Sequence, residues 1–227
     1  MFAYAETTLT FSKVQNTQDQ IVSAEILKVA YNKLGISINT IDMPPKRSIQ
    51  EANESKVDGE VSRVFEIGQF YPQLIRIPTS INLIEPSVFS KNLNFTVTDC
   101  EALKYFSIAV VRGAKFAELC TKGMDYVFIT NSLTQALNLL ERDRVDVVIA
   151  TKRNGLEMLK YLELDSIGIL SPALKSMPLH HYLNAKHKDL AVKVDDVLSK
   201  MEKSGELQTL RTQILKGMSI KHNANKK

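Results

Sequence analysis

The chain has 227 residues, 44% hydrophobic and 24% charged, the balance of an ordinary globular protein with room for one large domain or two modest ones. Its 29 Lys and Arg stand against 25 Asp and Glu, a formal net charge of +4 with the two signs interleaved, so the sequence carries no nucleic-acid footprint. No apolar run approaches the roughly 18 residues that cross a bilayer, which argues against a membrane protein.

At the amino end, Ala3-Tyr4-Ala5 followed by Glu6-Thr7-Thr8 has the small-residue pattern with which a secretory signal peptide ends. The charged and apolar regions of such a peptide do not precede it, and an alanine-rich N-terminus by chance is the alternative. A strand is predicted at 8–12, then a helix over 18–34 with Ile21, Ala24, Leu27, Ala30 and Leu34 at helical spacing and Gly35 as its stop. A strand at 36–41, a helix at 46–54 after Pro44-Pro45, and a strand at 57–61 complete a β-α-β-α-β series, the mark of a parallel sheet with helical crossovers. Residues 66–80, with Pro72 and Pro78, read as irregular, and 81–89 as extended.

The rhythm then restarts. A short helix is expected at 99–104, a strand at 106–111, a helix at 114–122 ended by Gly123, and a strand at 126–129. A helix at 132–142, a strand at 145–150 and a helix at 154–162 with Asn154 as N-cap follow. Strand-like 167–170, extended 179–184, and two amphipathic helices over 189–216 split at Gly205 close the series. Residues 216–227 are basic and polar and are expected to be a frayed tail. Within this pattern, 48–61 (SIQEANESKVDGEV) and 136–149 (ALNLLERDRVDVVI) share a helix, a charged turn and a Val-Asp pair opening a strand. The pair suggests two units of one design, with generic βα turn chemistry as the alternative.

Cys100 and Cys120 allow one disulfide in an exported chain, or two reduced thiols acting as small hydrophobes. Their spacing is not that of a zinc site, and the adjacent His180 and His181 would point to opposite faces of a strand, so no metal and no cofactor are expected.

The phrase over 47–61, RSIQEANESKVDGEV, resembles the first-lobe core of the amino-acid-type, type 2 periplasmic solute-binding proteins of ABC transporters. Residues 103–150 are similar to their second lobe, and 178–210 to their return strand and closing helices. The resemblance implies an α/β, two-lobed type 2 periplasmic-binding-protein-like fold. Lobe one would comprise 6–86 plus 186–227, and lobe two 87–185. Segments 84–89 and 179–184 would hinge around a cleft that closes on a small molecule. It also implies a periplasmic location, a monomer, and a membrane permease as partner.

Open parallel sheets bind ligands beyond the carboxyl ends of their strands. The candidates there are Ser12, Gln15 and Asn16 after the first strand, Arg47 after the second, and Ser62 and Arg63 after the third. In the second series they are Arg112, Thr130, Asn131 and Thr151. A guanidinium at a strand end suits a carboxylate, with Arg63 the first choice and Arg112 the second; each could equally be a surface arginine lying over its lobe. Gly113 before a helix is a weak anion signal, and a tight turn is the plainer reading.

Two departures from the resembled family concern the ligand. No Thr-x-x-Arg phrase follows the third strand. Five residues beyond Asp146, where those proteins place an acid for the ligand ammonium, stands Thr151. With Lys13, Lys46, Arg47, Arg63, Arg112, Lys152 and Arg153 near strand ends and no matching acid, the expected ligand is an organic acid, or an amino acid or derivative, above all one lacking a free amine. Two other functions compete. A sensory ligand-binding module for a membrane receptor would use the same lobes. A periplasmic dehydratase-like enzyme would need a strand-end acid or base, and the nearby Glu60 and Glu66 read as exposed solubilising acids, so no catalysis is expected.

Overall fold

A computed structural model describes residues 8–224, with side chains described as far as Met218; the signal-peptide pattern at Ala3-Tyr4-Ala5 lies outside them. In chain order the elements are β1 (Thr8–Val14), α1 (Gln18–Asn32), β2 (Ser37–Met43), α2 (Pro45–Asn53), β3 (Gly59–Val64), a 3-10 turn (Phe65–Gln69) and β4 (Leu74–Ile84). There follow β5 (Pro86–Ser90), a 3-10 turn (Glu101–Leu103), β6 (Ile108–Val111), α3 (Lys115–Cys120), β7 (Val127–Thr130), α4 (Leu133–Glu141), β8 (Val147–Thr151), α5 (Lys152–Leu162) and β9 (Gly168–Ile169). The chain ends with β10 (Met177–Asn184), a 3-10 turn (Ala185–His187), α6 (Lys188–Lys203) and α7 (Glu206–Ala224).

Two compact units result: the described chain up to Asn82 together with that from Pro178 onward, and Leu83–Met177. The expected boundaries differ at both crossings, by four residues at the first, where the second unit starts at Leu83, and more substantially at the second. Residues 179–184, read as a hinge beside the second lobe, form β10 inside the first unit's sheet, where they pair antiparallel with β3. Pairing there supplies ladder partners to a central strand that would otherwise be left as an edge.

The two sheets have the same plan. The first runs β2-β1-β3-β10-β4 and the second β7-β6-β8-β5-β9. In each, three parallel strands are joined by helices, and the fourth strand comes from outside the βαβ series and runs antiparallel. The matching sequence phrases occupy the same place in both. After α2, Ser55 adopts a left-handed φ of 61°, and after α4 Asp143 one of 53°. Lys56 N then bonds Glu51 O at 3.0 Å and Arg144 N bonds Leu139 O at 2.9 Å, the closing bond of a Schellman turn in each case. The aspartates that follow also do one job: Thr10 N donates to Asp58 Oδ2 at 2.8 Å, and Ser107 N to Asp146 Oδ2 at 2.8 Å. Each carboxylate thereby ties the start of its strand to the first strand of its series.

The first unit's core gathers Phe11, Val22, Ile26, Leu27, Tyr31, Val61, Ile77 and Leu183, with Val194 and Leu198 of α6 over them. The predicted stripe on α1 is rotated slightly, since Ile21 is exposed while Val22 and Ile26 are buried. Also in this core is His181, whose Nδ1 lies 2.9 Å from the Glu60 carbonyl and whose Nε2 lies 2.9 Å from Tyr31 Oη. A carbonyl only accepts, so Nδ1 carries the proton and Nε2 accepts from the tyrosine. Burial pushes this ring down to about 4. His180 points elsewhere, to the Ile77 carbonyl at 3.0 Å.

The second unit packs one cluster on each face of its sheet, around Leu137, Val148 and Phe89, and around Leu103, Ile108 and Ile149. Cys100 and Cys120 are disulfide-bonded there, their Cα atoms 5.3 Å apart. Other departures are local. The irregular segment 66–80 contains the start of β4, which tolerates Pro78 because it is the sheet's edge. The short helix at 99–104 is a single 3-10 turn. Thr151, not Asn154, precedes the first residue of α5. The tail is not frayed over 216–224, where the backbone continues α7; residues beyond lie outside the described chain.

Candidate functional site

β3 reads Gly-Glu-Val-Ser-Arg-Val, and all six residues are buried, because the strand lies between β1 and β10. A charge on such a strand must find partners within the protein. Glu60 is 0% exposed and takes three donors. Ser12 Oγ, across the β1–β3 pairing, lies 2.7 Å from Oε2, and Ser48 Oγ, from α2, lies 2.5 Å from the same atom. Arg63 Nε reaches Oε1 at 2.8 Å. Burial pushes the Glu60 carboxyl up, while Arg63, Ser48 and Ser12 pull the other way.

Arg63 is held a second time by Nη2, which donates to the Pro45 carbonyl at 2.7 Å, at the first residue of α2. Its remaining nitrogen, Nη1, has no hydrogen-bond partner among the described residues, and the side chain keeps 8% of its surface exposed. The guanidinium is therefore fixed in place at the carboxyl end of β3 with one donor group in hand. Of the sequence candidates, Ser12 and Arg63 are brought together through Glu60, with Ser12 sealed away as support. Ser62 faces α1 instead: its carbonyl and hydroxyl take Gln20 Nε2 at 2.7 and 3.2 Å. Gln15 donates its backbone N–H to the Met43 carbonyl at 3.0 Å, and Asn16 is exposed in the left-handed turn before α1. Arg47 lies on the outer face of α2, 68% exposed and 3.3 Å from Glu51.

Glu60 is the candidate-site residue absent from the strand-end candidates read from the sequence, and it corrects two expectations. It is not an exposed solubilising acid. Nor do all of the first unit's strand-end cations lack acids, since Lys13 pairs with Asp42, Arg47 with Glu51 and Arg63 with Glu60. The signal was present: an acid flanked by Gly59 and Val61, with an arginine three residues on, fits a central strand only as a buried pair.

In the second unit, Arg112 and Asn131 meet at the ends of β6 and β7, Arg112 Nε lying 3.4 Å from Asn131 Oδ1, both side chains exposed. Thr130 is buried and its hydroxyl lies 3.2 Å from the Val110 carbonyl. Thr151 is buried at the end of β8. The amide of Gly113 donates to Glu118 Oε1 at 2.6 Å, so the protein's own carboxylate occupies the place considered for an anion. Among the described residues no group of three or more His, Cys, Asp or Glu side chains is placed to hold a metal ion, and no helix is long and apolar enough to cross a membrane.

No protein-family model matches the chain. An uncharacterized protein of Shewanella oneidensis is 24% identical over 191 residues, 81% of this chain and 72% of that one. Among solved structures, a histidine kinase sensor domain with similarity to periplasmic binding proteins superposes with a TM-score of 0.78 at 14% identity, covering 92% of this chain and 96% of that one. The GluR0 ligand binding core, in complex with L-glutamate, gives 0.78 at 13% identity over 93% and 100%. An amino acid ABC transporter substrate-binding protein of Streptococcus pneumoniae, bound to L-arginine, gives 0.72 at 15% identity over 92% and 94%. The fold is that of the two-lobed periplasmic binding proteins. At these identities the likeness is one of fold.

Proposed function

We propose that the chain is a periplasmic solute-binding protein that holds a small polar molecule at the carboxyl ends of its parallel strands, does no chemistry on it, and serves an ABC-type transporter. The observation that carries this reading is Arg63, largely buried and oriented by Glu60 and the Pro45 carbonyl with a donor left over. Fixing a guanidinium in advance removes part of the ordering cost that a ligand must otherwise meet. The fold likeness to proteins described with bound L-glutamate and L-arginine supports it, as does the Cys100–Cys120 bridge, which persists in oxidising compartments. Glu60, the fully buried carboxylate of β3, is engaged by three donors, which favours binding over proton transfer.

A thermal-shift screen of the full chain against amino acids, their derivatives, organic acids and other small polar metabolites tests the proposal. A true ligand stabilises by about 2.7 kcal/mol at a hundredfold excess over Kd. Arg63→Ala should lose that shift and Arg47→Ala should keep it. A hit retained by both variants would place the site elsewhere, and no hit in any class would count against solute binding. The second reading, a ligand-binding module of a membrane receptor, is favoured by the likeness to a histidine kinase sensor domain. A permease or a sensor kinase encoded beside the gene separates the two.

A further inference from the structure

Every group bonded to the Glu60 carboxylate is a donor, and the strongest of them, Arg63, carries a full charge. A buried ion pair is seldom more stabilising than apolar residues of the same volume, so its presence at a strand end asks for a purpose. Of the other cations near the strand ends of this unit, Lys13 and Arg47 face Asp42 and Glu51, and Lys46 stands out in solvent.

We infer that Glu60 is a positioning and specificity-determining residue, which fixes Arg63 at the end of β3 and cancels its charge, so that the free donor takes a neutral acceptor of the solute and not a carboxylate. The neutral acceptor is a carbonyl of an amide, ester or ketone, or a hydroxyl oxygen. This inference rests on the solute-binding reading above and narrows it. A carboxylate arriving at Arg63 would be the second on one guanidinium, and the cluster would carry a net negative charge where little water can reach it. A carbonyl oxygen takes the same N–H without that penalty.

The test uses inorganic sulfate as a compact anion, titrated calorimetrically in the millimolar range into the full chain, and so needs no knowledge of the solute. The wild type and Arg63→Gln should take up sulfate equally poorly. Glu60→Gln, which removes the charge and keeps the shape, should bind it about tenfold more tightly than wild type, as expected of a charge-assisted bond set free. The double variant Glu60→Gln/Arg63→Gln should lose that gain. Sulfate bound by the wild type and lost in Arg63→Gln would overturn the inference, since Arg63 would then act as an uncompensated cation. A folded Glu60→Gln that binds sulfate no better than wild type would overturn it too. Should Glu60→Gln fail to fold, the comparison of wild type with Arg63→Gln still decides. A failed solute screen would leave these sulfate results standing, so the two readings fail separately.

Discussion

Arg63 and Thr151 hold equivalent positions in the two units, each five residues beyond the aspartate that opens its strand, Asp58 or Asp146, and each at the carboxyl end of the last parallel strand. The frame is repeated and the chemistry is not. One end carries a paired guanidinium and the other a buried hydroxyl next to α5, so the two units present different groups from one scaffold.

The Arg63–Glu60 pair should be costly to break from one side. Glu60→Ala strands a buried guanidinium and is expected to lower unfolding free energy by about 3–5 kcal/mol. The double replacement Glu60→Leu/Arg63→Met should cost much less than the sum of the single changes. Urea unfolding of wild type, Glu60→Leu, Arg63→Met and the double variant measures this, and additive losses would show that the two side chains do not depend on each other.

His181 gives stability a pH dependence. Its folded value is about 4 against an ordinary 6.5, so the unfolded chain takes up this proton before the folded one. Stability attributable to His181 is therefore complete above pH 6.5 and declines as pH falls toward 4, by about 3 kcal/mol over the window. Urea midpoints at stepped pH should fall less steeply for His181→Gln than for wild type. Parallel curves would exclude His181 as the source.

Most of the βα rhythm could be read from the sequence because it rests on local signals: the apolar period of α1, Pro44-Pro45 ahead of α2, and Gly35 and Gly205 at helix ends, both with positive φ. Even the internal match at Val57-Asp58 and Val145-Asp146 corresponds to a shared turn and a shared tie between strands. What could not be read was decided by neighbours distant in sequence. β10 lies beside β3 although more than a hundred residues separate them, and that placement turns Glu60 from a surface acid into a buried partner. The same holds for β4, whose Pro78 reads as a break until the strand is known to be an edge. At the candidate site, residue type marked Arg63 and Arg47 alike, and nothing local told that the first is largely buried and the second faces outward on α2.

Gly59 is required by that long-range pairing. A Cβ built on it would stand 2.2 Å from the Tyr182 carbonyl oxygen of β10, a backbone atom that cannot rotate away. Gly59→Ala should destabilise by about 1–3 kcal/mol or more. Gly35→Ala, in open space but at a φ of +69°, tests the other use of glycine and should cost about 1 kcal/mol through backbone strain alone. Denaturant unfolding compares them, and a neutral Gly59→Ala would mean that β10 does not approach so closely.

The disulfide closes a loop of 20 residues within the second unit, and its loss should cost about 3 kcal/mol. Thiol titration of the denatured, unreduced protein should find neither Cys100 nor Cys120 free, and reductant should lower the melting temperature. Two titratable thiols before reduction would show that the bridge is not formed.

The first unit is written in two pieces of chain and the second in one, which sets an order in time. A growing chain holds everything Leu83–Met177 needs before β10 exists. Until residues 177–184 emerge, β3 has β1 on one side and nothing on the other, and the carbonyls that later meet His181 have no partner. The second unit can therefore be complete while the first is still waiting for its last strand and for α6 and α7 to cover its core. A chain cut short after Met177 would keep one folded half and leave the half bearing Arg63 open along its middle.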